Sequence, residues 1–273
     1  ALGAMPEVAV RHAQRLRLVA LVHHPLALET GIEPSTAARL HESERQALAV
    51  VRHVVVTSAR TAAALADFDV PRSRITVVEP GTAAAPAARG SGSESVAMLC
   101  VASLSPRKGH GVLFRALARL RDRAWTLTCV GSTERERDFV QALRQQRRDL
   151  ALDDRVQLAG EAEGAGLDHH YDVSDLFVLP TFYEGYGMVI AEALARGLPI
   201  VSTPTGAIAD LVTPACGLLV PPGDVDGWVE ALTRMFDPRE RERFRQGALA
   251  RRVGLPTWET SSRLMAAALQ QHG

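Results

Sequence analysis

Lys108 is the single lysine among the 31 lysine and arginine residues of the chain. It follows Arg107 in the sequence Ser-Pro-Arg-Lys-Gly, just after an apolar run at 96–102 and before a stretch with helical spacing at 110–121. A lysine ammonium is a compact point charge, which the planar guanidinium of arginine does not reproduce. At the carboxyl edge of a parallel sheet, such a charge could bind a diphosphate. The alternative is a solvated surface lysine without a function.

Two glutamates, Glu184 and Glu192, lie eight residues apart around a Gly-x-Gly turn between a strand and a helix. Gly185 and Gly187 let backbone amides approach a ligand closely, and the N-terminus of the helix favours negative charge. At about 3.6 residues per turn, Met188 and Glu192 share one helix face. Two carboxylates beside an anion site suit the recognition of hydroxyl groups, one on a sugar and one on a ribose. The alternative is a Glu184 that caps the helix and a solvated Glu192.

Six apolar runs predict the strands that position these residues. They are apolar at nearly every position, as in a parallel sheet covered by helices on both faces. The runs lie at 96–102, 125–131, 156–160, 176–180, 199–203 and 217–220. Helical spacing lies between them at 110–121, 134–150, 166–174, 188–196 and 207–211. We therefore expect a six-stranded doubly wound α/β domain over 96–236, with ligands beyond the carboxyl ends of the strands.

The front of the chain repeats this alternation on a smaller scale. Short β-branched runs at 17–22 and 53–57 enclose a helical stretch at 34–51, and a further run follows at 75–78. Residues 79–92 are rich in Gly, Ala, Pro and Ser, and this composition predicts a linker. The chain begins just before a strand-like run, which is typical of a fragment.

The composition argues against several classes of protein. The 273 residues are 47% hydrophobic and 23% charged, which is the mix of ordinary globular proteins. Lys+Arg and Asp+Glu both number 31, so the chain lacks the basic surplus that a nucleic-acid binder needs. Cys100, Cys129 and Cys216 lie far apart in apolar runs and predict reduced core residues of a cytoplasmic protein. No run approaches the roughly 18 apolar residues of a transmembrane helix, and no signal segment opens the chain.

The sequence around the two glutamates resembles that of a known enzyme family. It combines Pro-Thr-Phe-Tyr-Glu-Gly-Tyr-Gly at 180–187, Glu-Ala-Leu-Ala-Arg-Gly-Leu-Pro-Ile-Val at 192–201 and Gly-Leu-Leu-Val-Pro-Pro-Gly-Asp at 217–224. These motifs closely resemble the family-4 glycosyltransferases, strongly over 96–236 and more weakly before it. The resemblance implies a GT-B fold, with two Rossmann-like doubly wound parallel-sheet domains of which the N-terminal one is incomplete. It also implies retaining transfer of a hexosyl unit from a nucleotide-diphosphate sugar to an acceptor hydroxyl.

The resemblance implies roles for the residues that match these motifs. Lys108 would bind the donor diphosphate, and Glu184 would contact the transferred sugar. Glu192 would hold the ribose of the nucleotide. The backbone of four consecutive residues would bind sugar hydroxyls and the diphosphate: Gly185, Tyr186, Gly187 and Met188.

Matches at other strand ends extend this set. Gly131 ends a strand where the nucleotide-binding loop of the family begins. Gly160 and Glu161 occupy the strand end that usually lies against the base. His23, at the end of the first strand-like run, matches a catalytic-site histidine that faces the donor. The alternative is a histidine that only caps the strand or packs under a loop.

One position departs from the family pattern. The family usually has an arginine five residues before the lysine, where this chain has Ser103. Arg107 is then the candidate for the second cation, and its side chain would approach the diphosphate from another direction. The resemblance implies that neither a metal nor a cofactor is needed, and it leaves the donor nucleotide open between the UDP and GDP types.

We expect three parts in the chain. Residues 1–85 would form a partial N-terminal acceptor-side domain, and 86–253 the C-terminal nucleotide-sugar-binding domain. Residues 254–273, with a helix predicted at 259–270, would cross back to the N-terminal domain. The acceptor would be a sugar, a lipid-linked molecule or a small molecule, in the cytoplasm or at the inner face of the membrane as a peripheral protein. Two alternatives stay open: a nucleotide-sugar epimerase, and a fragment that binds the donor without catalysis.

Three charged sequences could be mistaken for sites. Asp224-x-Asp226 is similar to a metal-binding motif, but it follows Pro-Pro-Gly and opens a helix, which favours helix capping. Asp168-His169-His170 could suggest a metal, but adjacent histidines on a helix point apart, which favours a solvated face. The alternating charges at 239–252 predict a surface helix, with a membrane-surface patch as the lesser interpretation.

Overall fold

The computed structural model describes residues 2–29 and 31–273. The contacts within it divide the chain into two compact units. The first unit contains the chain up to Thr82, together with Tyr183–Tyr186 and Pro256–Gly273. The second unit contains Ala83–Phe182 and Gly187–Leu255.

A three-stranded parallel sheet forms the centre of the first unit. Its strands are β1 (Val19–Val22), β2 (His53–Val56) and β3 (Ile75–Val77), in the order β1-β2-β3. Val19 pairs with His53, and Val54 pairs with Ile75. The strands begin and end within two residues of the runs seen in the sequence. Buried aliphatic and aromatic side chains such as Leu65 and Phe68 pack on this sheet and form the core of the unit.

Helices and short 3₁₀ turns cover this sheet. The helices are α1 (Pro6–Ala13), α2 (Pro34–Ala49) and α3 (Ala59–Ala64), and the turns are Leu2–Ala4, Leu26–Leu28, Leu65–Phe68 and Arg72–Arg74. Pro34 occupies the first position of α2, where its missing N–H costs no hydrogen bond. Ser58 caps α3, because its hydroxyl accepts a hydrogen bond from Thr61 N at 3.0 Å.

A six-stranded sheet forms the centre of the second unit, and all its pairings are parallel. The strands are β4 (Val96–Val101), β5 (Trp125–Val130), β6 (Val156–Gly160), β7 (Leu176–Leu179), β8 (Ile200–Ser202) and β9 (Gly217–Leu219). This confirms the doubly wound sheet predicted from the apolar runs. The strand order is β6-β5-β4-β7-β8-β9. The direction of winding therefore reverses between β4 and β7, and the loops after these strands flank the crevice where such sheets bind ligands.

Seven helices follow or connect these strands among the described residues. They are α4 (His110–Ala118), α5 (Arg137–Asp149), α6 (Gly164–Asp172), α7 (Met188–Ala195), α8 (Ile208–Leu211), α9 (Val225–Phe236) and α10 (Pro238–Arg251), with 3₁₀ turns at Pro106–Lys108 and Arg252–Gly254. Large side chains such as Phe114, Trp125, Phe177 and Trp228 are fully buried between the helices and the sheet. Their burial removes apolar surface from water and is the main source of stability of this unit.

The last helix, α11 (Trp258–His272), belongs to the first unit. Thr257 caps it, and the Ser261 hydroxyl donates a hydrogen bond to the Glu79 carbonyl at 2.7 Å. At its other end, the His272 ring stacks on His53 with a centroid distance of 3.6 Å. Burial lowers the pKa of His53, and the neighbouring His272 and Arg74 lower it further.

The three cysteines are free and buried, as predicted. Cys100 and Cys129 pair across the neighbouring strands β4 and β5. The hydrogen bond that the Cys129 thiol donates to Cys100, together with the burial of the thiol, raises the pKa of Cys129 well above its usual value. None of the helices in residues 2–29 and 31–273 combines the length and apolar character needed to cross a membrane.

Candidate functional site

Lys108 lies in the loop between β4 and α4, at the point where the strand order reverses. Its side chain is buried, with 8% of the residue exposed, so the structure rules out a simple solvated surface lysine. The carbonyl of Arg107 accepts a hydrogen bond from Phe182 N at 2.7 Å and one from the Thr181 hydroxyl at 3.2 Å. Because Thr181 and Phe182 follow β7, these bonds join the loops after β4 and β7.

The loop after β5 is joined to its neighbours in the same way. Gly131 N donates to the Gly160 carbonyl at 2.8 Å, and Leu104 N donates to the Ser132 carbonyl at 3.1 Å. Gly131 has φ +154°, and a Cβ there would lie 2.0 Å from the Ala102 carbonyl oxygen. Only glycine fits between these backbones. The ends of β4, β5 and β6 are therefore held together by main-chain contacts.

Two further predicted residues extend from these strand ends. Ser103 is half-buried and lies between Ala102, which donates to the last residue of β5, and Leu104, which donates to the loop after β5. Glu161 is exposed and directly follows the last residue of β6. Both therefore lie at the carboxyl edge of the sheet, as do Lys108 and Gly131.

The helix α7 begins at the carboxyl edge of β7. Gly187 is its N-cap residue with φ +92°, and Met188 is its first residue and is exposed. The first N–H groups of a helix have no partner within the helix and favour an anion. This end of α7 therefore has the polarity that the diphosphate interpretation requires.

Glu192 lies on the second turn of α7 and is half-buried. One of its carboxylate oxygens accepts a hydrogen bond of 2.9 Å from the Tyr171 hydroxyl. Tyr171, at the end of α6, is fully buried. Burial raises the pKa of Tyr171, and the neighbouring Glu192 carboxylate raises it further. The tyrosine is therefore protonated at neutral pH and acts as the donor.

The remaining predicted residues lie in the first unit. His23 is exposed and directly follows β1, and its carbonyl accepts a hydrogen bond of 3.2 Å from the Thr57 hydroxyl. Gly185 packs directly on this carbonyl, because a Cβ at Gly185 would lie 2.5 Å from the His23 oxygen. The His24 ring contacts Tyr183 with a centroid distance of 5.4 Å. The histidine pair is thus in contact with the segment that carries Glu184.

The structure sorts the predicted site residues into two sets. The set in the second unit contains Ser103, Arg107, Lys108, Gly131, Gly160, Glu161, Gly187, Met188 and Glu192. The set in the first unit contains His23, Glu184, Gly185 and Tyr186. Glu184 and Gly185 are half-buried and Tyr186 is buried.

Asp224 caps α9, as predicted: its side chain accepts a hydrogen bond from Gly227 N at 2.9 Å. Asp226 pairs with Arg119, and Asp168 pairs with Arg196. The rings of His169 and His170 lie 6.2 Å apart and are tilted. Within residues 2–29 and 31–273, no group of three or more His, Cys, Asp and Glu side chains could hold a metal ion.

Sequence reasoning missed two residues that shape this region. Tyr171 precedes its partner Glu192 by 21 positions and lies on a different helix, so no local motif pointed to it. Thr181 is fully buried and binds the Arg107 carbonyl. Thr181 lies inside the Pro-Thr-Phe-Tyr-Glu motif. Its hydroxyl at the end of an apolar strand was the one sequence signal that could have indicated a buried hydrogen bond there.

Comparison with known proteins identifies the family. The family described as "Glycosyl transferases group 1" matches residues 95–237, which is more than half of the chain. This chain belongs to the group 1 glycosyltransferases. The matched region covers the six-stranded sheet and carries Lys108 and Glu192.

Curated relatives match most of this glycosyltransferase chain. An MMP alpha-(1->4)-mannosyltransferase from Mycolicibacterium hassiacum is 28% identical over 260 residues, which are 89% of this chain and 62% of the relative. A D-inositol 3-phosphate glycosyltransferase from Nocardia farcinica is 30% identical over 258 residues, which are 88% of this chain and 57% of the relative. The chain thus spans about three fifths of the length of these relatives.

Solved structures of glycosyltransferases share the fold. Sucrose-phosphate synthase from Thermosynechococcus elongatus has a TM-score of 0.86 and 22% identity, and covers 97% of this chain and 71% of its own. HepE from Anabaena in complex with UDP-glucose has a TM-score of 0.83 and 22% identity, and covers 98% of this chain and 77% of its own. These likenesses confirm the α/β fold of the GT-B type, with a parallel sheet in each unit.

Proposed function

We propose that this chain binds a nucleotide-diphosphate sugar and transfers a hexosyl unit to an acceptor hydroxyl with retention of anomeric configuration, as a family-4 enzyme. The observation that carries this proposal is the position of Lys108. It is a buried cation on the loop after β4, bonded through Arg107 to the loop after β7. Crevices at such reversals of strand order are where doubly wound sheets bind nucleotides.

Lys108 stabilises the negative charge of the diphosphate. Its side chain is largely withdrawn from water, and charges interact more strongly where water is excluded. The N-terminus of α7, which begins at Met188 after Gly187, supplies N–H groups of the same polarity. Arg107 adds a second cation close to the same loop. Fixed donors of this kind lower the barrier most when they face the charge that develops on the leaving group.

The nucleoside portion extends over the neighbouring strand ends. Glu192 accepts hydrogen bonds from the ribose hydroxyls. The strand end at Gly160 leaves room for the base, because a Cβ at Gly160 would meet no atom within 4 Å. Glu161, which is exposed just beyond β6, lies at the edge of this space.

Glu184 and His23 act on the sugar. Glu184 accepts hydrogen bonds from the hydroxyls of the transferred hexose, and His23 contacts the donor. The acceptor attacks C1 from the face that the diphosphate leaves. The new bond joins the acceptor oxygen to C1, the bond between C1 and the phosphate oxygen breaks, and the acceptor proton passes to that phosphate oxygen. The diphosphate thus serves as the base, and neither a metal nor a carboxylate nucleophile is required.

The acceptor and the location are also part of the proposal. Three buried thiols suit a reducing compartment, which supports the cytoplasm. The acceptor is a sugar, a lipid-linked molecule or a small molecule. For a lipid-linked acceptor, α10 offers a helix rich in exposed arginine and glutamate that could lie at the inner face of the membrane.

A titration of the chain with nucleotides tests the proposal. UDP and GDP are compared with ADP by calorimetry, because HepE, which shares the fold, was solved with UDP-glucose. We expect UDP or GDP to bind and the corresponding sugar nucleotide to bind with it. Absence of binding by UDP, GDP and their sugar derivatives would overturn the proposal.

The products of a reaction distinguish transfer from the alternatives. With the donor that binds, a panel of sugar and lipid-linked acceptors is supplied, and the anomeric configuration of the product is read by NMR. Retention supports the proposed mechanism, whereas inversion contradicts it. A control without acceptor would reveal an epimerised donor if the chain were an epimerase, an activity that membership of the glycosyltransferase family does not favour.

A further inference from the structure

The Glu192 carboxylate has one polar partner among residues 2–29 and 31–273: the Tyr171 hydroxyl, at 2.9 Å from Oε2. This contact joins two helices, because Tyr171 lies near the end of α6 and Glu192 on the second turn of α7. A single neutral donor thus fixes one oxygen of the carboxylate that the proposed function assigns to the ribose. The other oxygen, Oε1, keeps its capacity to accept hydrogen bonds.

The Tyr171 ring is held from two sides. It stacks on Phe177 of β7 with a centroid distance of 6.0 Å and an interplanar angle of 16°. The guanidinium of Arg196 lies over the ring, 4.4 Å from its centroid. Both the burial of the ring and these contacts restrict its rotamers. The hydroxyl therefore has a fixed direction, and its hydrogen bond fixes the side chain of Glu192.

Arg196 makes its polar contacts with groups other than this carboxylate. The guanidinium pairs with Asp168 and donates a hydrogen bond of 3.2 Å to the backbone carbonyl of Glu192. A salt bridge to the Glu192 carboxylate would compete with ribose hydroxyls for its lone pairs. With Arg196 neutralised by Asp168, the carboxylate is held in place by a neutral donor and stays available to a neutral ligand.

We propose that Tyr171 is a positioning residue for ribose recognition: its buried hydroxyl holds the Glu192 carboxylate in the orientation that binds the ribose hydroxyls of the nucleotide. This inference rests on the proposed function, because it needs Glu192 to contact the ribose. Tyr171 itself touches neither the sugar nor the reacting atoms. Its hydroxyl also lies 3.5 Å from the Val189 carbonyl oxygen, but the contact to Glu192, at 2.9 Å, is the shorter of the two.

The test measures how strongly each variant distinguishes a ribonucleotide from its 2′,3′-dideoxy counterpart, which lacks both ribose hydroxyls. The dissociation constants of UDP and GDP are measured by calorimetry, and each is compared with that of the corresponding 2′,3′-dideoxynucleotide. In Tyr171→Phe the ring and its packing stay and only the hydroxyl is removed. We expect the ribonucleotide to bind about three- to ten-fold more weakly, as for the loss of one hydrogen bond. The dideoxy form should change by less than about two-fold.

Three further variants separate positioning from simple packing. Glu192→Gln should weaken the ribonucleotide at least as much, and Tyr171→Phe combined with Glu192→Gln should bind no more weakly than Glu192→Gln alone. Ser202→Ala is the matched control, because it removes another buried hydroxyl, which lies on β8 and donates to the Leu179 carbonyl of β7 at 2.8 Å. It should lower the melting temperature without changing the preference for ribose.

Each outcome of these measurements either supports or contradicts the role of Tyr171 in positioning Glu192. If Tyr171→Phe lowers the melting temperature but keeps the ribose preference, as Ser202→Ala is expected to do, Tyr171 only packs the core and the inference is wrong while the proposed function stands. If the parent chain binds neither UDP nor GDP, both are wrong. If Tyr171→Phe does not fold, Arg196→Met decides, because it removes the guanidinium from one face of the ring. A loss of ribose preference of more than about two-fold supports the inference, and a smaller change contradicts it.

Discussion

The loops after β4 and β7 lie next to each other but differ in what they contribute. The loop after β4 belongs wholly to the second unit and buries the cation Lys108. The loop after β7 begins in the second unit with Thr181 and Phe182, and its next residues, Tyr183–Tyr186, group with the first unit. In the proposed mechanism the first loop binds the diphosphate and the second carries Glu184 to the sugar. Affinity and turnover should therefore respond to different substitutions.

Two hydrogen bonds to one main-chain carbonyl connect the two loops. The loops are joined at the Arg107 carbonyl, which accepts from Phe182 N and from the Thr181 hydroxyl. Neither bond uses the side chain of Arg107, Lys108 or Glu184. A substitution at one of these three side chains should thus leave these two bonds in place.

The largest effect should come from the carboxylate of the second loop. Glu184→Gln keeps the size of the side chain and removes its charge, so the transfer rate should fall by about 100-fold or more, as for the loss of a group that acts on the reacting sugar. Nucleotide affinity should stay within about two-fold of the parent. Release of nucleotide diphosphate from the bound sugar nucleotide measures the rate, and calorimetry measures the affinity.

The matched control is Glu230→Gln, which removes an exposed carboxylate of α9. It should leave both quantities unchanged. A Glu184→Gln variant that transfers sugar at the parental rate would contradict the difference between the two loops, because the Glu184 carboxylate of the second loop would then have no role in the transfer.

A smaller effect is expected from the half-buried cation of the first loop. Arg107→Ala removes a half-buried side chain but keeps the carbonyl that joins the loops. Nucleotide diphosphate affinity should fall by about two- to five-fold, because a partly solvated cation interacts weakly. Calorimetry measures the affinity of Arg107→Ala, and Arg119→Ala, which removes an exposed arginine paired with Asp226, is the control. If Arg107→Ala lost more nucleotide diphosphate affinity than Lys108→Ala, Arg107 and not Lys108 would be the main contact of the diphosphate.

The smallest effect should follow the removal of metal ions. Donor affinity and transfer rate should stay within about two-fold in EDTA, since Lys108, Arg107 and the N-terminus of α7 supply the positive potential. Activity measured in EDTA and after addition of Mg²⁺ or Mn²⁺ checks the prediction. If chelation abolished transfer and a metal restored it, these protein groups alone would not be sufficient to bind the diphosphate.

The sheet of the second unit could be predicted because its strands are apolar at almost every position. The apolar runs at 125–131 and 176–180, for example, correspond to the strands Trp125–Val130 and Leu176–Leu179. Short runs of this kind favour parallel strands that are buried on both faces. The short helix α1 (Pro6–Ala13) was not predicted, and it leaves Val8 and Val10 exposed. Its eight residues make about two turns, which is shorter than the stretch over which a helical period is recognised.

The candidate site was predictable where its residues are close in sequence. Lys108 and Glu184 each lie in a short motif at a strand end, and sequence position fixes them relative to the sheet. The contact between Tyr171 and Glu192 depends on how α6 and α7 pack, and no spacing encodes it. The burial of Lys108 could not be predicted either, because burial depends on how segments that are distant in sequence pack together.

The affinity of Lys108→Arg for nucleotide diphosphate tests the central claim most directly. The claim is that a buried ammonium at the reversal of strand order binds the donor diphosphate, and a planar guanidinium does not fit a position shaped for an ammonium. We expect Lys108→Arg and Lys108→Ala to bind UDP or GDP about ten- to 100-fold more weakly than the parent, as for a lost hydrogen bond to a charged group. The expected shift in melting temperature without ligand is small. If Lys108→Arg binds the nucleotide as tightly as the parent, the claim is contradicted.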